Sequence, residues 1–60
     1  MPTLIHLAPD LGFRVDQEPA EVVRRLATAR LDGKMFVSFQ TISDEQVLIA
    51  VAHVLALEAV

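Results

Sequence analysis

The sequence predicts an α+β domain: a small antiparallel sheet of four to five strands in the order β-β-α-β-β, possibly with a fifth strand, carrying one helix packed on one face. Three observations point there. Alternating apolar residues flank a Pro-Asp-Leu-Gly turn near the N-terminus. One amphipathic stretch follows, with a proline at its start and a glycine at its end. The apolar runs after it alternate with period two, as half-buried strands do. Sixty residues give one domain, 1–60, with a single thin core.

The first strand is Thr3 to Leu7, and Ala8-Pro9-Asp10-Leu11-Gly12 reads as the turn. Proline presets φ, Asp10 can bond the local backbone, and Gly12 can take the left-handed position that closes a hairpin. Phe13 to Asp16 is the return strand. A five-residue loop pairs Leu7 with Phe13 and Ile5 with Val15 on one face. His6 then lies opposite Arg14, and Leu4 opposite Asp16, on the other face.

A helix is expected over about 19–31. Pro19 suits the first helical position, where a missing N–H is harmless. Glu18 and Glu21 sit at the positive end of the helix dipole, Arg30 and Lys34 near the negative end. Val22 and Leu26, like Val23 and Ala27, are four apart, and Glu21 and Arg25 make an i,i+4 ion pair. Gly33 is a natural stop.

Met35 to Ile42 alternates again, with Met35, Val37 and Phe39 on one side and Ser38 and Gln40 on the other. Residues 44–59 admit two readings. A helix capped by Ser43 and Gln46 would follow the spacing of Val47, Leu48, Val51, Val54 and Leu55. Two strands, Val47 to Val51 and Val54 to Ala59 either side of a bend at Ala52-His53, fit the β-branched alternation better and are preferred.

Composition narrows the function classes. The chain is 53% apolar, carries a net charge of −3 and has no cysteine. Disulfide scaffolds and cysteine-based zinc modules are excluded. All five basic residues lie between Arg14 and Lys34, interleaved with acids, so the basic excess typical of nucleic-acid modules is missing. The apolar tail is broken by His53 and Glu58 and is shorter than the ~20 residues a bilayer requires. Pro2, His6 and Pro9 interrupt the first apolar stretch, unlike a signal peptide. A cytoplasmic protein without membrane contact is expected.

The order of hairpin, Gln17-Glu18-Pro19-Ala20-Glu21-Val22-Val23, strand, Val47-Leu48-Ile49 and Val54-Leu55-Ala56-Leu57-Glu58 resembles that of certain short, uncharacterised bacterial proteins. That resemblance implies a sheet covered by one helix and no activity. The tail is also similar to the strand pair of FlbD-type flagellar proteins, although Ala50-Val51 stand where those have Asn-Pro and the helix here precedes the strands.

Few constellations could carry chemistry. The Met-Pro start is similar to that of small tautomerases, which implies Pro2 as an N-terminal general base once Met1 is removed. Those enzymes place a helix directly after their first strand and use arginines for a carboxylated substrate; here a turn and a strand follow, and only Arg14 lies outside the helical region. His6 and His53 lack neighbours at ligand spacing, so no metal or other cofactor is expected. Arg24, Arg25, Arg30 and Lys34 could line an oligomeric RNA-binding ring. Asp44 and Glu45 read as a solvated turn.

The strongest inference concerns burial. A core of Ile5, Leu7, Phe13, Val15, Val22, Leu26, Val37, Phe39 and Ile49 leaves Leu4, Phe36, Ile42, Leu48, Leu55 and Leu57 without interior. A mean hydropathy of +0.47 is high for so small a chain. If those six cover the second sheet face, burying ~1,000 Å² there is worth ~25 kcal/mol before association costs, which consume most of it. The expected role is a non-enzymatic binding or assembly module, working as a homo-oligomer or as a subunit on a protein partner, with these six at the interface.

Overall fold

The computed structural model describes residues 1–60 as five strands, one α-helix and one 3₁₀ turn. The strands are β1 (Thr3–Ala8), β2 (Leu11–Val15), β3 (Phe36–Gln40), β4 (Gln46–Ala50) and β5 (Ala56–Ala59). Helix α1 (Pro19–Leu31) joins β2 to β3, and the 3₁₀ turn (Val51–His53) joins β4 to β5. The α+β class holds, and the tail forms two strands rather than a second helix, although β4 and β5 lie in different sheets and do not pair with each other.

The strands form two antiparallel sheets, a three-stranded one ordered β2-β1-β5 and a two-stranded β3-β4 ribbon. One bridge, Val15 to Thr41, links them. There the Asp16 N–H donates to the Gln40 carbonyl at 2.9 Å and the Ile42 N–H to the Arg14 carbonyl at 3.1 Å. The expected single sheet is therefore split, because β2 turns away into the helix after that one contact.

The first hairpin differs in register from the expectation. Ile5 faces Phe13, Thr3 faces Val15, Leu4 faces Arg14 and His6 faces Gly12, with an irregularity at Leu7 before Ala8 meets Leu11. Only Pro9 and Asp10 remain as the connection. The shift is two residues, so every side chain keeps its face; alternation fixes register only to within such steps. Gly12 does not adopt a left-handed backbone. It lies within β2, where a Cβ would stand 3.0 Å from the Ile5 carbonyl oxygen.

The helix spans the residues the sequence marks. Pro19 occupies its start, and Glu18 caps it without a side-chain bond. At the far end Gly33 takes φ +70°. The Lys34 N–H donates to the Ala29 carbonyl at 2.8 Å and the Gly33 N–H to that of Arg30 at 3.2 Å. This is the paired bonding of a Schellman stop, which only a residue tolerant of positive φ closes easily. The turn between β3 and β4 uses the same conformation at Asp44, φ 66°. Gln40 donates from its side-chain amide to the Asp44 carboxylate, and the Glu45 N–H donates to Thr41 Oγ1 at 3.2 Å.

The core is Ile5, Val15, Val22, Phe39 and Ile49, with Leu7, Leu26, Val37, Val47, Val54 and Leu57 packed partly against it. Ala29, Thr3 and Thr41 are also buried. Thr3 reconciles its hydroxyl with full burial by donating to the Gln17 carbonyl at 2.8 Å. Phe13, expected inside, is half-buried.

Candidate docking surface

The histidines and carboxylates do not gather. His6 Nε2 lies 2.7 Å from Glu58 Oε1, a side-chain hydrogen bond across β1 and β5 on the outer face of the three-stranded sheet. His53 is exposed in the 3₁₀ turn, and no three of His, Cys, Asp and Glu converge on a point. Pro2 is half-buried and its carbonyl accepts from the Val60 N–H at 3.0 Å. It lines none of the four surface grooves.

Of the five basic residues, Arg14 stands in β2 and the other four lie along α1 or just after it. Glu21 holds Arg24 through bonds of 3.0 and 2.6 Å and Arg25 through one of 2.8 Å. The Arg24 guanidinium and then that of Arg25 pull the Glu21 carboxyl down to about 2, and Glu21 raises Arg24 in return. Arg25 also lies over the Phe39 ring, 5.8 Å from its centroid. Arg30 and Lys34, at the other end of α1, border an open groove with Met35, Phe36 and the 3₁₀ turn, of about 620 Å³. An apolar extension of about 320 Å³ runs along Val23, Leu26 and Ala27.

The six residues expected at an interface are dispersed by the split sheet. Phe36 and Leu48 share the outer face of the β3-β4 ribbon, where strand alternation puts them opposite buried Phe39 and Ile49. They are 53% and 72% exposed. Leu4 is half-buried on the outer face of the other sheet, between Arg14 and Glu58. Leu57 lies on the inner side, paired with Ile5 and packed against the core. Ile42 sits in the turn after β3, and Leu55 precedes β5, its N–H donating to the His6 carbonyl at 2.8 Å. Both are exposed.

Sequence reading passed over two features of this surface. Val23 and Met35 are exposed apolar residues that line the groove and its extension, and Leu31 is exposed at the end of α1. They were hidden because Val23 and Met35 fall in otherwise regular apolar patterns. The second is the free edge of β4. In the β3-β4 ladder the odd-numbered residues exchange backbone bonds, as the Thr41–Glu45 and Val51–Met35 bonds at its two ends show. Gln46, Leu48 and Ala50 therefore turn their N–H and C=O groups away from β3, and no strand lies on that side. The signal was present: Gln-Val-Leu-Ile-Ala holds no charge, proline or glycine, the usual guards of an edge.

No helix is long and apolar enough to cross a membrane. Compared with known proteins, the chain matches no family description and no curated sequence.

Proposed function

We propose that this protein is a non-enzymatic binding or assembly module that works as a homo-oligomer or as a subunit docked on another protein, in the cytoplasm. The supporting observation is the imbalance between interior and surface. Six apolar residues are buried, whereas ten large ones stand 40–88% exposed. The total surface, 4133 Å², is close to the ~3,900 Å² of a compact monomer of this mass. The excess therefore lies in what the surface is made of, not in its extent. A standard interface takes ~800 Å² from each partner, about a fifth of this chain's surface. Phe36 and Leu48 are the best-placed of the expected contacts, because no charged residue shares their strand face. The two alternatives have less support: Pro2 borders no groove, as a catalytic amine of a tautomerase would, and Glu21 already occupies Arg24 and Arg25, which an RNA ring would need free.

Sedimentation equilibrium at micromolar concentration tests the reading. The expected result is a species at a multiple of 6.6 kDa, or a defined complex with a protein partner. A chain that stays single and docks on nothing overturns it.

A further inference from the structure

We propose that two copies of this chain join through their β4 edges, as an antiparallel pair centred on Leu48, to make one continuous four-stranded sheet from the two ribbons. The inference rests on the assembly reading above and specifies its contact. Gln46, Leu48 and Ala50 present three outward N–H groups and three outward carbonyls at alternate positions. A two-fold axis at Leu48 sets Leu48 against Leu48 of the second copy and Gln46 against Ala50 in both directions. That register alone uses every outward group, giving six backbone hydrogen bonds. Moving the axis to Val47 or Ile49 leaves an outward residue of each chain without a strand partner and gives four.

The side chains agree with this register. On the inner face Val47 meets Ile49 of the second copy, a β-branched pair of the kind that stabilises sheets. On the outer face the two Leu48 side chains meet, flanked by Phe36 of each chain. Glu45 falls opposite Val51, so no like charges oppose each other. The edge of β5 is less suited: it is four residues long, carries Glu58, and Leu55 departs from its ladder before it begins. The groove beside α1 has no such self-complementary pattern to say what covers it.

A cysteine-free chain makes the test direct. Opposed residues in a bonded antiparallel pair have Cα atoms about 5.5 Å apart, within the span of a disulfide. Leu48→Cys is expected to convert almost wholly to a disulfide dimer under mild oxidation, at least tenfold faster than Leu55→Cys, whose side chain is comparably exposed. Leu48→Lys is expected to weaken self-association at least tenfold while the far-ultraviolet circular dichroism of the chain is unchanged. If that variant fails to fold, the cross-linking comparison still decides. A wild-type oligomer in which Leu48→Cys reacts no faster than Leu55→Cys overturns the β4 contact and leaves the assembly reading standing. A wild-type chain that neither self-associates nor docks on a protein overturns both.

Discussion

The two sheets of this molecule are finished to different degrees. In the three-stranded sheet the central strand β1 has a partner on each side, and its inner face buries Thr3 and Ile5 completely. Its outer face is charged, with Arg14 and the His6–Glu58 pair around Leu4. The β3-β4 ribbon buries Phe39 and Ile49 equally well, but its outer face carries Phe36, Ser38, Gln40, Gln46, Leu48 and Ala50, with no charge among them. One sheet is dressed for water on its far side and the other is not. A surface residue's meaning thus depends on its strand neighbours: a lone Leu4 between two charges is ordinary, whereas Leu48 beside a bare edge is an unfilled valence.

Truncating each inner face is the strongest way to test whether these regions are one cooperative unit. Phe39→Ala should cost about 3–5 kcal/mol and Ile5→Ala about 2–5 kcal/mol, against a total of only ~3–5 kcal/mol for a lone core of this size. Both variants are expected to be largely unfolded by circular dichroism. If Phe39→Ala melts the ribbon and leaves β1-β2-β5 intact by amide exchange, the single bridge at Val15 and Thr41 is a domain hinge and the shared core is refuted. Assembly would raise the apparent stability by mass action, so the measurements belong at one fixed concentration.

The two hairpin connections make a finer comparison. Asp44 holds a left-handed backbone and accepts from Gln40. Asp44→Val places a branched side chain where it clashes with its own carbonyl and should cost about 1–2 kcal/mol, read from urea denaturation, while Asp44→Asn should be close to neutral. Gly12→Ala should cost about 1 kcal/mol, since the new methyl meets the Ile5 carbonyl at 3.0 Å and only the Leu4 side chain, at 3.2 Å, can step aside. A neutral Gly12→Ala would mean that β1 and β2 separate more easily than the ladder between them implies.

Where signals are local, the sequence was legible. Pro19 and Gly33 mark the helix because each acts through its own backbone, one at a position that wants no donor and one at a position that wants positive φ. The tail was readable as strands because Val47, Ile49 and Val51 are branched at alternate positions. What depends on distant partners was not. Alternation cannot separate Ile5–Phe13 from Ile5–Val15, since both registers keep the same faces. Gly12 matters for an approach by β1, not for the turn chemistry its neighbours suggest. Thr3 and Thr41 are inside because their hydroxyls find backbone partners, Gln17 and Glu45, that composition cannot reveal. The interface set meets the same limit: exclusion from a counted core places Leu57 outward, whereas its pairing with Ile5 puts it on the inner side.

The smallest effect expected is electrostatic, and it should be felt on the ribbon's side of the helix. Glu21 bonds Arg24 and Arg25, and Arg25 in turn covers the Phe39 ring. The folded chain holds the Glu21 carboxyl at about 2, against an ordinary 4.5. A carboxyl depressed on folding contributes its stability above the unfolded value and loses it as pH falls from there toward the folded one. The wild-type advantage over Glu21→Gln should therefore be constant above pH 4.5 and fade as pH falls toward 2, and added salt should shrink it, because all three side chains reach solvent. Thermal midpoints across this range measure the advantage. Amide exchange locates it, with the Val37 and Phe39 amides of β3 expected to loosen before the Ile5 amide of β1. If β1 loosens first, or if the Glu21→Gln difference persists unchanged at pH 2, the cluster does not tie the helix to the ribbon.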